Sequence, residues 1–174
     1  LWNHLSHHWG TPREIRSDQP LLTISDKPNI AVDDQVRYSR FVDLDLLFPA
    51  CVDMFTEEVG VSPIIHGVGP YRTRVQDLIA LKRSFVRIDQ DVVVFKAEVG
   101  AVSSAVAQIQ GVWVNPKHRG QGLAAPALAS VVQKVRDDLA STASLYVNSY
   151  NKPALATYKA VGFTQVDTFA SILF

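Results

Sequence analysis

Apolar side chains along the 174-residue chain change their spacing several times, and each change marks an element. A helix is predicted from about Leu44 to Val59 and a second over Tyr71 to Arg83, where Val75, Leu78 and Ile79 share one face. Three strands follow in meander order, Ser84 to Asp89, Val92 to Val99 and Ala105 to Val114, joined by the tight Asp89-Gln90-Asp91 turn and by residues 100–104. The helix expected over Gly122 to Leu139 has Leu128, Val131, Val132, Val135 and Leu139 on one face and Gln133, Lys134, Arg136 and Asp137 on the other, so it covers a sheet. Ser144 to Val147 reads as a strand, Pro153 to Val161 as a short helix, and Phe163 to Val166 and Phe169 to Leu173 as closing strands. A strand near Tyr38 to Val42 opens this regular part. The pattern is that of a mixed α/β (α+β) domain over residues 36–174, a mostly antiparallel twisted sheet flanked by helices.

Residues 1–35 lack such a pattern. Gly10, Pro12, Pro20 and Pro28, with turn formers at Ser17-Asp18, Ser25-Asp26, Asn29 and Asp33-Asp34, predict an irregular N-terminal arm or linker that Leu21, Leu22 and Ile24 pin down. Gly60 to Pro70 is read as a loop long enough to border a substrate entrance.

Composition narrows the class. With 47% hydrophobic and 20% charged residues, a chain of this length buries one sizeable core. Lysine plus arginine equal aspartate plus glutamate at 17 each and no basic stripe stands out, so neither a nucleic-acid partner nor an anionic membrane is expected. No apolar run approaches the roughly 18 residues of a membrane span. The single cysteine, Cys51, excludes an intramolecular disulfide and fits a reducing, cytoplasmic setting. His4 and His8 stand four apart but have no supporting carboxylate or cysteine, so no metal is expected. The start at Leu1 without a methionine is read as processing or truncation, with Trp2 and Trp9 expected to pack against what preceded it.

Chemistry concentrates where the apolar strand ending at Pro116 meets a basic, glycine-punctuated turn, Lys117-His118-Arg119-Gly120-Gln121-Gly122-Leu123-Ala124. Gly120 and Gly122 remove two Cβ atoms where backbone must approach a ligand closely. The first N–H groups of the following helix have no internal partner. With the positive end of the helix dipole and Arg119 they form an anion site suited to a pyrophosphate. Alone, the stretch reads equally as a turn that starts a surface helix. A second motif runs from Leu145 to Phe163, with Asn151 as helix N-cap, Pro153 in the first turn and Gly162 at the left-handed stop.

In order and spacing the two motifs resemble the signature of the GNAT superfamily of acyl-CoA-dependent N-acetyltransferases. Arg119, Gly122 and Ala124 match its R-x-x-G-x-A loop. Val147, Asn148, Asn151, Ala154, Tyr158, Gly162 and Phe163 match its second segment. The flanking text Met54 to Gly60, Phe95 to Gly100 and Thr168 to Phe174 is similar to actinobacterial GNAT proteins with an additional N-terminal lobe, of which residues 1–35 would be a remnant.

The resemblance implies acetyl-CoA as cofactor and a pair of splayed parallel strands that admit it, here Ala105 to Val114 and Ser144 to Val147. It implies backbone contacts to coenzyme A from Val112, Trp113 and Val114, a pyrophosphate held by Arg119, Gly120, Gln121, Gly122, Leu123 and Ala124, and contacts from Asn148 and Asn151. Tyr158 takes the family's general-acid position. For the base, Glu57, Glu58 and Glu98 are the carboxylates nearest the acceptor side, and Glu98 is favoured because it interrupts an apolar strand. Each of the three also reads as an ordinary solvated or ion-paired glutamate. Cys51, in an apolar helix without a nearby histidine, reads as a buried structural thiol, which leaves direct transfer in a ternary complex. The expected partner is an amine of a small molecule, peptide or protein, and a homodimer is compatible. The alternative is a non-catalytic acyl-CoA-binding sensor module.

Overall fold

The computed structural model describes residues 2–174, the side chain of Asn3 excepted. After a single helical turn α1 (Trp2–Leu5), the chain forms β1 (Glu14–Ile24), β2 (Arg37–Tyr38), α2 (Leu44–Val59), α3 (Val68–Ala80), β3 (Ser84–Asp89), β4 (Val92–Val102), β5 (Val106–Val114), α4 (Ala124–Asp138), β6 (Thr142–Tyr146), α5 (Lys152–Val161) and β7 (Thr164–Leu173). The strands make one seven-stranded sheet in the order β2-β3-β4-β5-β6-β1-β7. Every neighbouring pair is antiparallel except β5 and β6. No helix among the described residues is long and apolar enough to cross a membrane.

Two apolar layers sandwich the sheet. On one face α4 buries Ala127, Leu128, Val131, Val132 and Val135 against Phe85, Phe95, Val99 and Ile109, and α5 adds Tyr158 and Val161. Full burial of each Val or Leu contributes about 1.5–3 kcal/mol, so the stripe read from the sequence is sufficient to hold α4 in place. On the other face α2 and α3 bring Leu47, Cys51, Met54, Val75 and Ile79 onto Val86, Val93 and Trp113.

The reading of residues 1–35 as an irregular arm is corrected by β1, an eleven-residue strand between β6 and β7. Leu21 to Ile24 pair with β6, and β7 runs along β1 from Glu14 to Thr23. The register shifts between Arg16 and Gln19, and this irregularity absorbs the Ser17-Asp18 turn signal and lies beside Pro20. Two-sided pairing supplied by distant strands overrides local turn propensity there.

Smaller corrections have similar causes. The strand expected over Tyr38 to Val42 stops at Tyr38, because Asp43 accepts from Arg40 N (2.7 Å) and from Arg37 Nη1 and Nη2 (2.6 and 2.9 Å), closing a 3-10 turn over Phe41–Asp43. The two closing strands are one, since β1 offers a continuous partner. Trp2 and Trp9 pack on the Phe174 ring at 6.0 and 5.3 Å between centroids, and Leu1 lies outside the described residues.

Candidate functional site

Between β5 and β6 the ladder holds only for Val106↔Thr142, Ala107↔Ala143 and Gln108↔Ser144. Beyond Gln108 the strands part. The cause lies on the other side of β5, where two β4 residues, Lys96 and Glu98, face Trp113 and Gln110, so that β5 carries an extra residue. Such a bulge bends its strand and frees backbone groups from the ladder. Gly111 sits in it at φ +56°, and a Cβ there would lie 3.0 Å from Met54 Cε and 3.1 Å from Lys96 Nζ. Only glycine meets both the backbone conformation and the crowding.

The parted strands open a cleft of about 690 Å³. Its walls are Ile109 to Val114 on β5 and Leu145 to Asn148 at the end of β6. One end is formed by Gly120, Gly122, Leu123, Ala124 and Ala125, and Met54, Glu57 and Glu58 of α2 line the cleft as well, together with Gln19, Tyr150, Asn151 and Tyr158. This volume suits a small-molecule site.

At the first end Gly120 and Gly122 have φ +73° and +76°, and their missing Cβ atoms face open space. No side chain caps the N-terminus of α4. Its first N–H donors are therefore available to an anion, in the positive field of the helix dipole. Arg119 stands beside them, with Nε donating to Val114 O (3.0 Å) and Nη1 and Nη2 donating bidentately to Glu57 (2.8 and 2.7 Å). The Arg119 hydrogen bonds, ahead of opposing desolvation, hold the Glu57 carboxyl below its ordinary range. The Trp113 indole adds to this from nearby without making a well-formed hydrogen bond.

In the cleft lining Tyr158 is 8% exposed, and burial first, then the negative charge of Glu58, pushes its hydroxyl up to about 12. Asn151 caps α5 as expected, its Oδ1 accepting from Ala154 N at 3.2 Å. Asn148 Oδ1 accepts from Gln19 Nε2 (2.9 Å), while Gln19 Oε1 accepts from Ser171 Oγ (2.6 Å). Asn148 thus has its amide donors left for the cleft.

Residues 77–163, half of the chain, match the acetyltransferase (GNAT) family. The chain belongs to the GNAT acetyltransferase family. Residues 1–47 match a second family, described as a domain of unknown function (DUF4081), which takes in the whole of β1. No curated protein is significantly similar in sequence. Among solved structures, an acetyltransferase of the GNAT family from Colwellia psychrerythraea superposes with a TM-score of 0.68 at 16% identity, over 99% of this chain and 61% of its own. A GCN5-related N-acetyltransferase from Sphaerobacter thermophilus gives 0.68 at 16% identity, over 98% and 53%. A predicted acetyltransferase from Clostridium acetobutylicum, solved with acetyl-CoA, gives 0.61 at 17%, over 76% and 90%. These likenesses are of fold, and the chain spans little more than half the length of the first two.

Within this GNAT domain the expected site residues separate into two groups. Val112, Trp113, Val114, Arg119, Gly120, Gly122, Leu123, Ala124, Asn148, Asn151 and Tyr158 all line the cleft. Gln121 does not: its side chain turns back to donate to Lys117 O at 3.3 Å. The loop between α2 and α3 also stays away from the cleft, shortened because α3 begins at Val68.

Glu98, favoured as the base, is placed apart from these residues. It lies outside the cleft lining, 6% exposed, and bonds Lys96 Nζ (3.1 Å), Arg74 Nη2 (3.2 Å) and Gln110 Nε2 (2.9 Å). Burial alone would raise its carboxyl, but Lys96, Gln110 and Arg74 outweigh that and hold it below the usual range. Cys51, on the buried face of α2, is 2% exposed, and burial raises its thiol, as expected of a structural cysteine.

Gln19 was missed because its strand was read as an arm. The alternation across Gln19 to Ile24, with Leu22 and Ile24 buried, is the signal that could have found it. Met54 and Glu58 follow from the orientation of α2, which the sequence does not specify.

Proposed function

We propose that this chain is an acetyl-CoA-dependent N-acetyltransferase that passes an acetyl group to a primary amine by direct transfer in a ternary complex. The observation that carries this reading is the cleft between β5 and β6, with an uncapped, glycine-flanked helix N-terminus at one end and the Tyr158 hydroxyl in its wall. The residues fit the cofactor: two left-handed glycines without Cβ atoms leave a cradle for a pyrophosphate, and the dipole of α4 favours its charge. Bound acetyl-CoA supplies a thioester whose carbonyl carbon accepts the amine.

The chain's own residues do the remainder. Arg119 and the N–H groups at the start of α4 hold the phosphates, and the bulge at Gly111 presents backbone to the acyl end. Tyr158 donates its proton to the leaving sulfur and recovers one from the newly acylated nitrogen. The second half of that exchange is needed, because a phenol at about 12 is a weaker acid than a thiol near 8.5. Cys51, buried outside the cleft, takes no acyl group. The affinity with actinobacterial proteins carrying an N-terminal lobe, a cytoplasmic setting and a homodimer belong to this proposal.

The test is thermal unfolding with acetyl-CoA, with NAD and ATP as controls. A ligand at about 100 times its Kd adds roughly 2.7 kcal/mol, which raises the midpoint by roughly 5–10 °C in a domain of this size. Absence of a shift withdraws the reading. Tyr158→Phe then tests the role of Tyr158: it should keep the shift and lose about 100-fold or more in thiol release. A wild type that shows the shift but releases no thiol with any amine favours the sensor, and a Tyr158→Phe variant with unchanged turnover removes Tyr158 from the role of acid.

A further inference from the structure

Three carboxylates stand near the acceptor end, and two are already committed. Glu98 is buried with Lys96, and Glu57 is bidentate with Arg119. Glu58 differs from both: its side chain opens into the cleft, and among the described residues its carboxylate makes no hydrogen bond or ion pair shorter than 4.0 Å. It is nevertheless well placed. Glu58 lies in the last turn of α2, and its main-chain oxygen accepts from Arg16 Nη2 at 2.8 Å. Arg16, itself clamped by two bonds to Glu14, ties this helix end to β1. The backbone of Glu58 is therefore fixed while its carboxylate is free.

The charges around it come from every wall. Arg16 approaches from β1, Lys96 and Glu98 from β4, and the Tyr158 hydroxyl from α5. Glu58 is exposed and its side chain is open to the cleft, so the packed walls beside it desolvate its carboxylate only in part. That desolvation is the largest influence, ahead of the opposing Arg16 and Lys96, and leaves the carboxyl above its ordinary range. The negative end of the α2 dipole acts in the same direction and also attracts a cation. Glu58 and Tyr158 are thus two titratable groups lining one cleft, both free of ion pairs, and the negative charge of Glu58 reaches the Tyr158 hydroxyl and that of Tyr71 on α3.

We infer that Glu58 is the general base of the transfer, the catalytic residue that receives the acceptor's ammonium and removes its proton. The inference rests on the acetyltransferase reading above. The ammonium gives one proton to the Glu58 carboxylate and becomes a neutral amine. Its nitrogen lone pair forms the C–N bond while the C–S bond breaks with its electron pair on sulfur, which takes the Tyr158 proton. The acylated nitrogen returns a proton to Tyr158, and Glu58 releases its own to solvent. One thioester and one ammonium thereby give one amide, one thiol and one proton.

The experiment compares wild type, Glu58→Gln, Glu58→Asp and Glu57→Gln. The acetyl-CoA thermal shift reports folding and cofactor binding, and thiol release is followed against pH. Two kinds of acceptor are used: strongly basic amines (phenethylamine, 1,5-diaminopentane and a lysine-containing peptide in turn) and hydroxylamine, which is already unprotonated at pH 7. Glu58→Gln should keep the thermal shift, lose about 100-fold or more in kcat/KM with the basic amines at pH 7, and lose the acid limb of the profile. With hydroxylamine its loss should stay under about tenfold, because no ammonium has to be deprotonated. Glu58→Asp should recover part of the rate and the limb. The inference is overturned if Glu58→Gln keeps its rate and its acid limb with basic amines, or if the limb disappears in Glu57→Gln instead. If the wild type shows no acetyl-CoA shift, the failure lies with the acetyltransferase reading itself.

Discussion

Replacing Glu98 by Gln tests whether the buried Lys96–Glu98 pair is structural. Lys96 is 1% exposed and its ammonium lies 3.1 Å from Glu98 Oε2, beneath the Gly111 bulge. At an effective dielectric of about 20, that separation corresponds to about 5 kcal/mol of attraction. The loss has a ceiling: an unpaired lysine can shed its proton, which at pH 7 costs about 5 kcal/mol from a reference near 10.4. Glu98→Gln should therefore cost about 3–5 kcal/mol, in line with other buried pairs broken on one side. The midpoint should fall by roughly 6–20 °C.

The pH dependence gives a sharper sign. In the wild type Glu98 is held low, and Lys96 is raised: burial, the largest single influence, would lower it, but Glu98 and Cys51 together outweigh that. The Glu98 contribution is present above its unfolded value near 4.3 and lost as pH falls through the folded value. The Lys96 contribution is present below about 10.4 and lost as pH rises through its folded value. Between those limits the pair adds no slope. In Glu98→Gln only Cys51 is left to oppose burial at Lys96, its folded pKa drops, and stability should rise with pH from 7 towards 10 by up to about 1.4 kcal/mol per unit. Urea unfolding at pH 7 and pH 9 measures both effects. Adding Lys96→Met should restore at least half of the loss, since no unpaired charge is then left inside. A loss under about 1 kcal/mol, or a slope equal to that of the wild type, would refute the reasoning.

Two further outcomes follow from the same geometry. Gly111→Ala places a Cβ against Met54 and Lys96 at a left-handed φ, and should cost about 1–3 kcal/mol in urea unfolding while lowering thiol release. Glu57→Gln removes the competitor for the Arg119 guanidinium across the cleft mouth. As an exposed ion pair is worth about 0.2–1 kcal/mol, acetyl-CoA should bind up to about fivefold tighter by calorimetry, and unchanged or weaker binding would show that the pair does not compete.

The positions of α2, β3, β4, β5, α4 and α5 follow from local text. Each carries either a periodic apolar face or a capping pair, such as Asn151 and Gly162 around α5, and these depend on neighbours a few residues away. The glycine turn before α4 is legible for the same reason, because φ values of +73° and +76° need residues without a Cβ. The strand character of β1 is not local. Its turn formers are overruled by two partners more than 100 residues distant in sequence, β6 and β7, and Gln19 enters the cleft only through that pairing.

The three glutamates show most clearly where the sequence stops. It determined that carboxylates stand at 57, 58 and 98, and that the strand bearing Glu98 is apolar around it. Whether a carboxylate is available depends on which cations reach it. Lys96 lies two residues from Glu98, but Arg74 and Gln110 reach it only across the fold, as Arg119 reaches Glu57. Tertiary packing neutralised two of the three and left Glu58 open in the cleft, because ion pairing and desolvation are set by distances in space that the order of residues does not contain.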